Sequence, residues 1–111
     1  QTPSVNESCT HGYQSYACWF KLDTISQKTI TQIHASRNKC MDKLLEAGVS
    51  TRPATHAVHM LSYYQKKYGI SASDYPNAYA ADQCSLSLPL YTGMSEEEQE
   101  FVIGEIKNVH V

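Results

Sequence analysis

One short segment concentrates the side chains that could carry chemistry. Residues 48–59 bring together Thr51, Arg52 and two imidazoles, His56 and His59. A guanidinium offers a planar fork of donors that suits phosphate or carboxylate, and a threonine hydroxyl adds a neutral donor. Imidazoles can donate to the same anion or exchange protons with a substrate near neutral pH. The segment therefore predicts an anion-binding loop, with an ordinary solvated loop as the alternative that the residues leave open.

The spacing His56-x-x-His59 also suits two metal ligands on one face of a helix. A zinc site needs at least a third ligand, and residues 48–59 contain no Asp or Glu beside the two imidazoles. The cysteines offer no C-x-x-C pair that would complete such a site. We therefore predict no metal centre here.

The composition excludes several classes of protein. A chain of 111 residues with a net charge of -2 is long enough for one domain and lacks the basic surface of a nucleic-acid-binding protein. No run of ~20 apolar residues is present to span a bilayer, and no signal segment is recognisable, so we expect a cytoplasmic location and four reduced, mostly buried cysteines. Eight of the aromatic residues are Tyr, against one Trp and two Phe, which is typical of wet pockets or interfaces.

The elements that must position residues 48–59 are an upstream strand and helix. Alternating residues over Tyr13–Leu22 predict a half-buried strand. A helical pattern from about Ser36 ends at Gly48, and Ile30 and Ile33 could extend that helix backwards. A brief strand over Val49–Arg52, stopped by Pro53, should then lead into the loop.

Downstream of the loop the pattern continues to alternate between helix and strand. The predicted elements, in order, are helical turns over His59–Tyr68 closed by Gly69, a helix over Pro76–Cys84 with Asp74 as N-cap, a strand over Ser85–Leu90, and a helix from the capping box Ser95–Glu98 to about Val109. This order predicts an α+β fold, a small sheet of about three strands with helices packed on one face.

At this point the residues resemble a known family. The segment SLPLYTGMSEEEQ at 87–99, followed by Val102 and Ile103, resembles the closing motif of the DegT/DnrJ/StrS sugar aminotransferases. Three further stretches resemble parts of the C-terminal domain of that family, in the same order and with similar spacing. HGYQSY at 11–16 resembles its opening strand, and LLEAGVST at 44–51 resembles its helix-to-strand step. Residues 56–64 resemble the loop and short helix that follow. Together they cover about Thr10 to Val109.

The resemblance implies a particular enzyme. Members use pyridoxal 5'-phosphate in a large N-terminal domain that carries the Schiff-base lysine, work as dimers, and transfer an amino group, typically from glutamate, to a nucleotide-linked keto sugar in amino-sugar biosynthesis. This chain would then be a linker over 1–10 and the C-terminal small domain over 11–111. It would be non-catalytic alone, because its partner, the N-terminal cofactor domain, is missing.

The resemblance also bears on individual residues. None of the lysines matches the lysine motif of the family, so no catalytic or cofactor-binding residue is assigned. Thr51, Arg52, His56 and His59 become candidate contacts to the sugar nucleotide or to the carboxylate of the amino donor, and His59 matches a position of the family pattern. The alternative is a free-standing binding or interaction module that keeps the fold without the enzyme.

Overall fold

A computed structural model describes residues 1–20 and 25–110 of the chain. Two strands and four helices make up the described part: β1 (Tyr16–Trp19), α1 (Gln27–Glu46), α2 (Ser62–Tyr68), α3 (Pro76–Cys84), β2 (Ser85–Leu88) and α4 (Glu96–Asn108). Two single 3-10 turns, Val58–Met60 and Ala72–Asp74, precede α2 and α3 respectively. The predicted α+β class is confirmed.

The sheet is smaller than predicted. Among the described residues β1 and β2 pair antiparallel, and the third strand expected over Val49–Arg52 is reduced to one bridge between Arg52 and Ser87. The sequence explains why. Gly48 is still in the left-handed turn that ends α1, with φ at 89°, and Pro53 has no N–H with which to continue a ladder. The prediction of about three strands was wrong in number.

Strand β1 keeps the predicted alternation over a shorter length. Tyr16 and Cys18 are half-buried, whereas Ala17 and Trp19, which alternate with them, are exposed. On the outer edge of β1, the amide of Trp19 donates to the carbonyl of Gln1, and the terminal ammonium of Gln1 donates to the carbonyl of Trp19, both at 2.9 Å. The end of the predicted strand at Lys21 and Leu22 lies outside the described residues.

Helix α1 is the central element and begins earlier than the periodic pattern starts. Ser26 is its N-cap, and the Oγ of Ser26 accepts from the amide of Thr29 at 3.2 Å. This cap lets the β-branched run around Ile30 continue as helix, as the two isoleucines had suggested. Ile30 and Leu44 are 2% and 1% exposed, so both ends of the helix contribute to the core.

Among the described residues, two clusters of buried side chains lie along the two halves of α1. The α1–α3 cluster consists of Ile30, Ala80 and Cys84. The α1–α4 cluster consists of Cys40, Leu44 and Val49, and its partly buried neighbours are Phe20, Val102, Ile106 and Val109. The face of α4 that carries Val102 and Ile106 therefore packs against the second half of α1.

The capping predictions have different outcomes for α4 and α3. In α4 the Oγ of Ser95 accepts from the amide of Glu98 at 3.1 Å, and Glu98 Oε2 accepts from the amide of Ser95 at 2.8 Å, which confirms the capping box. In α3 the prediction was wrong, because the N-cap is Tyr75. The carboxylate of Asp74 is already engaged by the amide and hydroxyl of Ser71, at 2.7 and 2.8 Å, one turn earlier.

Candidate functional site

A polar pocket of about 290 Å³ lies where the loop after α1 meets the sheet. Its polar lining comes from three separate segments: the residues before β1, the residues after α1, and β2. These lining side chains are Gln14, Ser15, Ser50, Thr51, Arg52 and Ser87. Hydroxyls, an amide and one guanidinium in a small concavity suit an oxygen-rich anion such as a phosphate or a carboxylate.

The sheet fixes the backbone of Arg52 while its side chain stays available. The amide of Arg52 donates to the carbonyl of Ser87 at 3.4 Å, and the amide of Ser87 donates to the carbonyl of Arg52 at 2.7 Å. The residue itself is exposed, so the guanidinium can pair with an incoming anion. Beside it, Thr51 Oγ1 is buried and has no hydrogen-bond partner within the described residues.

One residue that lines the polar pocket, Tyr91, is paired with a carboxylate that does not line it. The phenol of Tyr91, which lines the pocket, hydrogen-bonds to the carboxylate of Glu98, and this bond raises the pKa of Tyr91. The pKa of Glu98 is lowered, first by the amide of Ser95 and then by Tyr91. Tyr91 therefore stays protonated and Glu98 ionised at neutral pH, and Arg52 is the positively charged side chain in the pocket lining.

The two histidines lie in a different concavity, the aromatic pocket, of about 590 Å³. Its aromatic lining is His59, Tyr64, Tyr68 and Tyr75. His59 is 8% exposed, its ring centroid is 5.2 Å from that of Tyr75, and its Nε2 is buried with no hydrogen-bond partner in the described chain. The rings of Tyr64 and Tyr68 are stacked, with centroids 6.3 Å apart and planes 11° apart.

His56 lines the same aromatic pocket but lies at its rim. Its side chain is 82% exposed, and Nδ1 is 3.9 Å from Asp82 Oδ1, an ion pair whenever the imidazole is protonated. Across residues 1–20 and 25–110 the structure shows no group of three or more His, Cys, Asp or Glu side chains that could hold a metal. The four sequence-predicted residues thus form two pairs: Thr51 with Arg52, and His56 with His59. The two pockets share no lining residue.

Sequence reasoning missed the residues that complete each pocket. Gln14, Ser15 and Ser87 belong to the polar pocket because β1 pairs with β2, and no local pattern reveals that register. The tyrosines of the aromatic pocket had one sequence signal, the surplus of Tyr over Phe and Trp. That signal indicates a wet pocket without saying which tyrosines form it.

The lysines decide whether this chain by itself fits a pyridoxal-phosphate site. A Schiff-base lysine is activated by a desolvated or cationic pocket. Every lysine in the described part of the chain is exposed. Lys43 donates to the carbonyl of His110 at 2.6 Å and Lys67 to the hydroxyl of Tyr63 at 3.1 Å, while Lys21 lies outside the described residues. The described residues do not fit the cofactor.

Comparison with known proteins identifies the family to which the chain belongs. A sequence model described as the DegT/DnrJ/EryC1/StrS aminotransferase family matches residues 4–107. The chain therefore belongs to the DegT/DnrJ/EryC1/StrS aminotransferase family, which confirms the resemblance carried by the motifs at 11–16, 44–51, 56–64 and 87–99.

Two curated relatives match almost the whole chain. The spore coat polysaccharide biosynthesis protein SpsC of Bacillus subtilis is 28% identical over 109 residues, and the uncharacterized protein MJ1066 of Methanocaldococcus jannaschii is 22% identical over 108 residues. Each alignment covers 97% of this chain and 26% of the relative, so the chain spans about a quarter of their length. No solved structure matches. None of the described helices has the length and apolarity required to cross a membrane.

Proposed function

We propose that this chain is the C-terminal, substrate-side domain of a pyridoxal-phosphate-dependent aminotransferase that acts on a nucleotide-linked keto sugar. The observation that carries the proposal is the family match over residues 4–107, which covers the polar pocket. The relative SpsC is named for spore coat polysaccharide biosynthesis, and a sugar substrate for this chain is consistent with that name.

In this proposal the polar pocket holds an anionic group of the substrate. Arg52 supplies the charge, and Thr51 supplies a hydroxyl that lacks a partner within the described residues. His56 and His59 contact the substrate from the separate aromatic pocket. The chain's own residues therefore bind and orient the substrate, and the amino-transfer chemistry belongs to the cofactor in a separate large domain.

The same proposal sets the organisation of the parent enzyme. Residues 1–10, which contain no helix or strand, are the linker, and residues 11–111 are the small domain. The partners are an N-terminal cofactor domain, a second subunit of a homodimer, a sugar nucleotide and an amino donor, in the cytoplasm. The exposed aromatic side chains of α2 and its flanking turns are available for such a neighbour.

The anion contact can be tested directly, because the chain has only two arginines, Arg37 and Arg52. In a chain labelled with 15N at arginine Nε, titration with inorganic pyrophosphate and separately with glutamate should shift the Arg52 signal. The Arg37 signal should stay in place, because that side chain is 3% exposed. The backbone amide signal of Thr51 reports on the variants: its shift should be reduced in Arg52→Lys and lost in Arg52→Ala, with Lys66→Ala as the matched loss of an exposed cation. Equal shifts of both arginine signals would contradict an anion site at Arg52.

A second experiment tests whether the amino-transfer chemistry requires a separate cofactor domain. Mixing the chain with pyridoxal 5'-phosphate should give no stoichiometric Schiff-base absorption band that survives dialysis and no transaminase turnover, whereas a chain fused to a cofactor domain encoded upstream in the same frame should give both. A stoichiometric band that survives dialysis from the 111-residue chain alone would refute the proposal. A gene that starts immediately before Gln1 would favour the free-standing binding module.

A further inference from the structure

We propose that His34 is a pH-sensitive switch that controls how Arg37 holds the junction between α3 and β2. Both residues lie on the face of α1 that packs against this junction. Nδ1 of His34 is 3.0 Å from Nη2 of Arg37 and 3.1 Å from the backbone carbonyl oxygen of Gln83, in the last turn of α3. The inference rests on this cluster of groups and does not depend on the aminotransferase proposal.

The two neighbours of His34 Nδ1 make opposite demands on it. A guanidinium nitrogen can only donate a hydrogen bond, whereas a carbonyl oxygen can only accept one. Without a proton, Nδ1 accepts from Arg37, and the carbonyl of Gln83 lacks this donor. With a proton, Nδ1 donates to Gln83, and Nη2 of Arg37 faces another donor. The proton on Nδ1 therefore selects one of two mutually exclusive hydrogen bonds.

In the neutral imidazole the bond from Arg37 prevails. A hydrogen bond from a charged donor is roughly twice as strong as one between neutral groups, so the proton of the neutral ring belongs on Nε2. Nε2 lies 3.1 Å from the side-chain amide of Asn38, which is exposed and can turn to present its oxygen to an N–H. In this state Arg37 has two partners, His34 and the carbonyl of Ser85.

The imidazolium reverses this arrangement. Both ring nitrogens then carry a proton, so Nδ1 of His34 changes from acceptor to donor and a second positive charge stands beside Arg37. Arg37 is 3% exposed, so its Nη2 cannot replace the lost partner with bulk water. The guanidinium then holds the junction through Ser85 alone. Imidazoles gain their proton between about pH 5 and pH 8, so the change falls near physiological pH.

The charge on the α3 side of this interface comes from Asp82. Its carboxylate acts on Arg37 and is also 3.9 Å from Nδ1 of the exposed His56. Burial raises the pKa of Cys84, so this thiol is uncharged at neutral pH, and the phenol Tyr79 packs against the same cluster. The second imidazole near the junction is therefore that of His56, which provides the control for the switch.

The switch has a route to the polar pocket through β2. Arg37 holds Ser85, the first residue of this strand. Two residues further along, Ser87 lines the polar pocket and bridges to Arg52. A change in the hold on Ser85 should therefore be felt at Ser87, whereas Leu44, in the α1–α4 cluster, lies outside this route.

The test is an NMR titration of the 15N-labelled chain from about pH 8 to about pH 5. At the upper end, couplings between ring nitrogens and ring protons should show that Nδ1 of His34 is unprotonated. As the pH falls, the Nε signal of Arg37 and the amide signals of Ser85 and Ser87 should shift with the midpoint of the His34 ring. The amide signal of Leu44 should not follow that midpoint.

Two matched variants identify the imidazole responsible. His34→Gln keeps a polar side chain that does not titrate, and it should abolish the pH-dependent shift of the Arg37 signal. His56→Gln, at an 82% exposed side chain beside the same Asp82, should leave the shift unchanged.

Three results would overturn the inference: a proton on Nδ1 of neutral His34, an Arg37 signal that does not follow the His34 ring, or an Arg37 shift that is lost in His56→Gln and kept in His34→Gln. The first two are read in the wild-type chain, so the test decides even where His34→Gln does not fold.

Discussion

The two halves of α1 are stabilised by different kinds of contact. The half that forms the α1–α4 cluster buries Cys40 and Leu44 against Val49 and the apolar face of α4. The half that forms the α1–α3 cluster also buries a charged side chain. Arg37 is 3% exposed, its Nη1 donates to the carbonyl of Ser85 at 3.2 Å, and its Nη2 lies 3.0 Å from His34 Nδ1.

Helix α1 therefore has two structural roles: one half stabilises the fold by apolar burial, and the other fixes the orientation of a neighbouring element. Apolar contacts have no direction, so the α1–α4 cluster stabilises the fold without specifying one orientation. The guanidinium of Arg37 requires the carbonyl of Ser85 at one position, so it fixes the junction between α3 and β2 relative to α1. Burial lowers the pKa of Arg37, with partial compensation from Asp82, which shows that this orientation is obtained at the expense of desolvation.

The largest effect is expected in the apolar half. Leu44→Ala removes a side chain that is 1% exposed and should lower the free energy of unfolding by about 2–5 kcal/mol, because a cavity is left in the α1–α4 cluster. Urea unfolding followed by circular dichroism measures the loss. Leu45→Ala, on the next residue but 64% exposed, should change stability by no more than about 0.5 kcal/mol. Similar losses for the two variants would mean that this cluster is not the main core.

The half of α1 that buries Arg37 should lose stability when the hydrogen bond from Arg37 to Ser85 is removed. Arg37→Met keeps a long apolar stem but leaves the buried carbonyl of Ser85 without that donor, which should cost about 1–3 kcal/mol. Lys39→Met, an exposed change on the same helix, is the control. A gain in stability from Arg37→Met would show that the desolvation cost of the guanidinium exceeds its hydrogen bonds.

A smaller effect is expected from the cap of α4. Ser95→Ala removes one half of the capping box and should lower the free energy of unfolding by about 1 kcal/mol. Hydrogen exchange should show faster opening at Leu44, in the α1–α4 cluster, than at Ile30, in the α1–α3 cluster. Ser26→Ala, at the cap of α1, is the matched variant and should shift the faster exchange to Ile30. Uniform loss of protection in both variants would indicate that the two clusters open as one unit.

The smallest effect is a pH dependence that belongs to the same cap. Hydrogen bonding to the amide of Ser95 and to Tyr91 lowers the pKa of Glu98 in the folded chain. A lowered pKa stabilises the fold above the unfolded value of about 4.3, and the stabilisation is lost as the pH falls through the folded value. Glu98→Gln should therefore flatten the decline in stability below about pH 4.3. Glu100→Gln, outside the capping box, should leave the decline as it is in the wild type.

Sequence patterns predicted the structural features that depend only on neighbouring residues. The capping box of α4 and the Gly69 stop after α2 need only neighbouring residues, and both are confirmed. The α3 cap failed because the Ser71 side chain and amide had already engaged Asp74. The burial of Arg37 was not predictable, because its hydrogen-bond partner Ser85 is 48 residues away and only the tertiary fold brings them together.

In the candidate site, too, the sequence predicted residues that are close in the chain but not the arrangement that the tertiary fold gives them. The sequence predicted Thr51, Arg52, His56 and His59 as one group because they are close in the chain. The structure separates them into two pockets, since the bridge to Ser87 fixes Arg52 against the sheet while the turn over Val58–Met60 carries His59 to the tyrosines. Proximity along the chain therefore does not show which of these residues share a cavity.

The pairing of Tyr16 with Leu88 has a consequence for the rate of folding. These strands come from distant parts of the chain, so the loop between them must close before their contacts form, whereas α1 and α4 need only local contacts. We therefore expect the helices to form first and the sheet to pair late. The polar pocket, which lies on that sheet, would then be among the last features to appear, and an anion bound there would slow unfolding more than it accelerates folding.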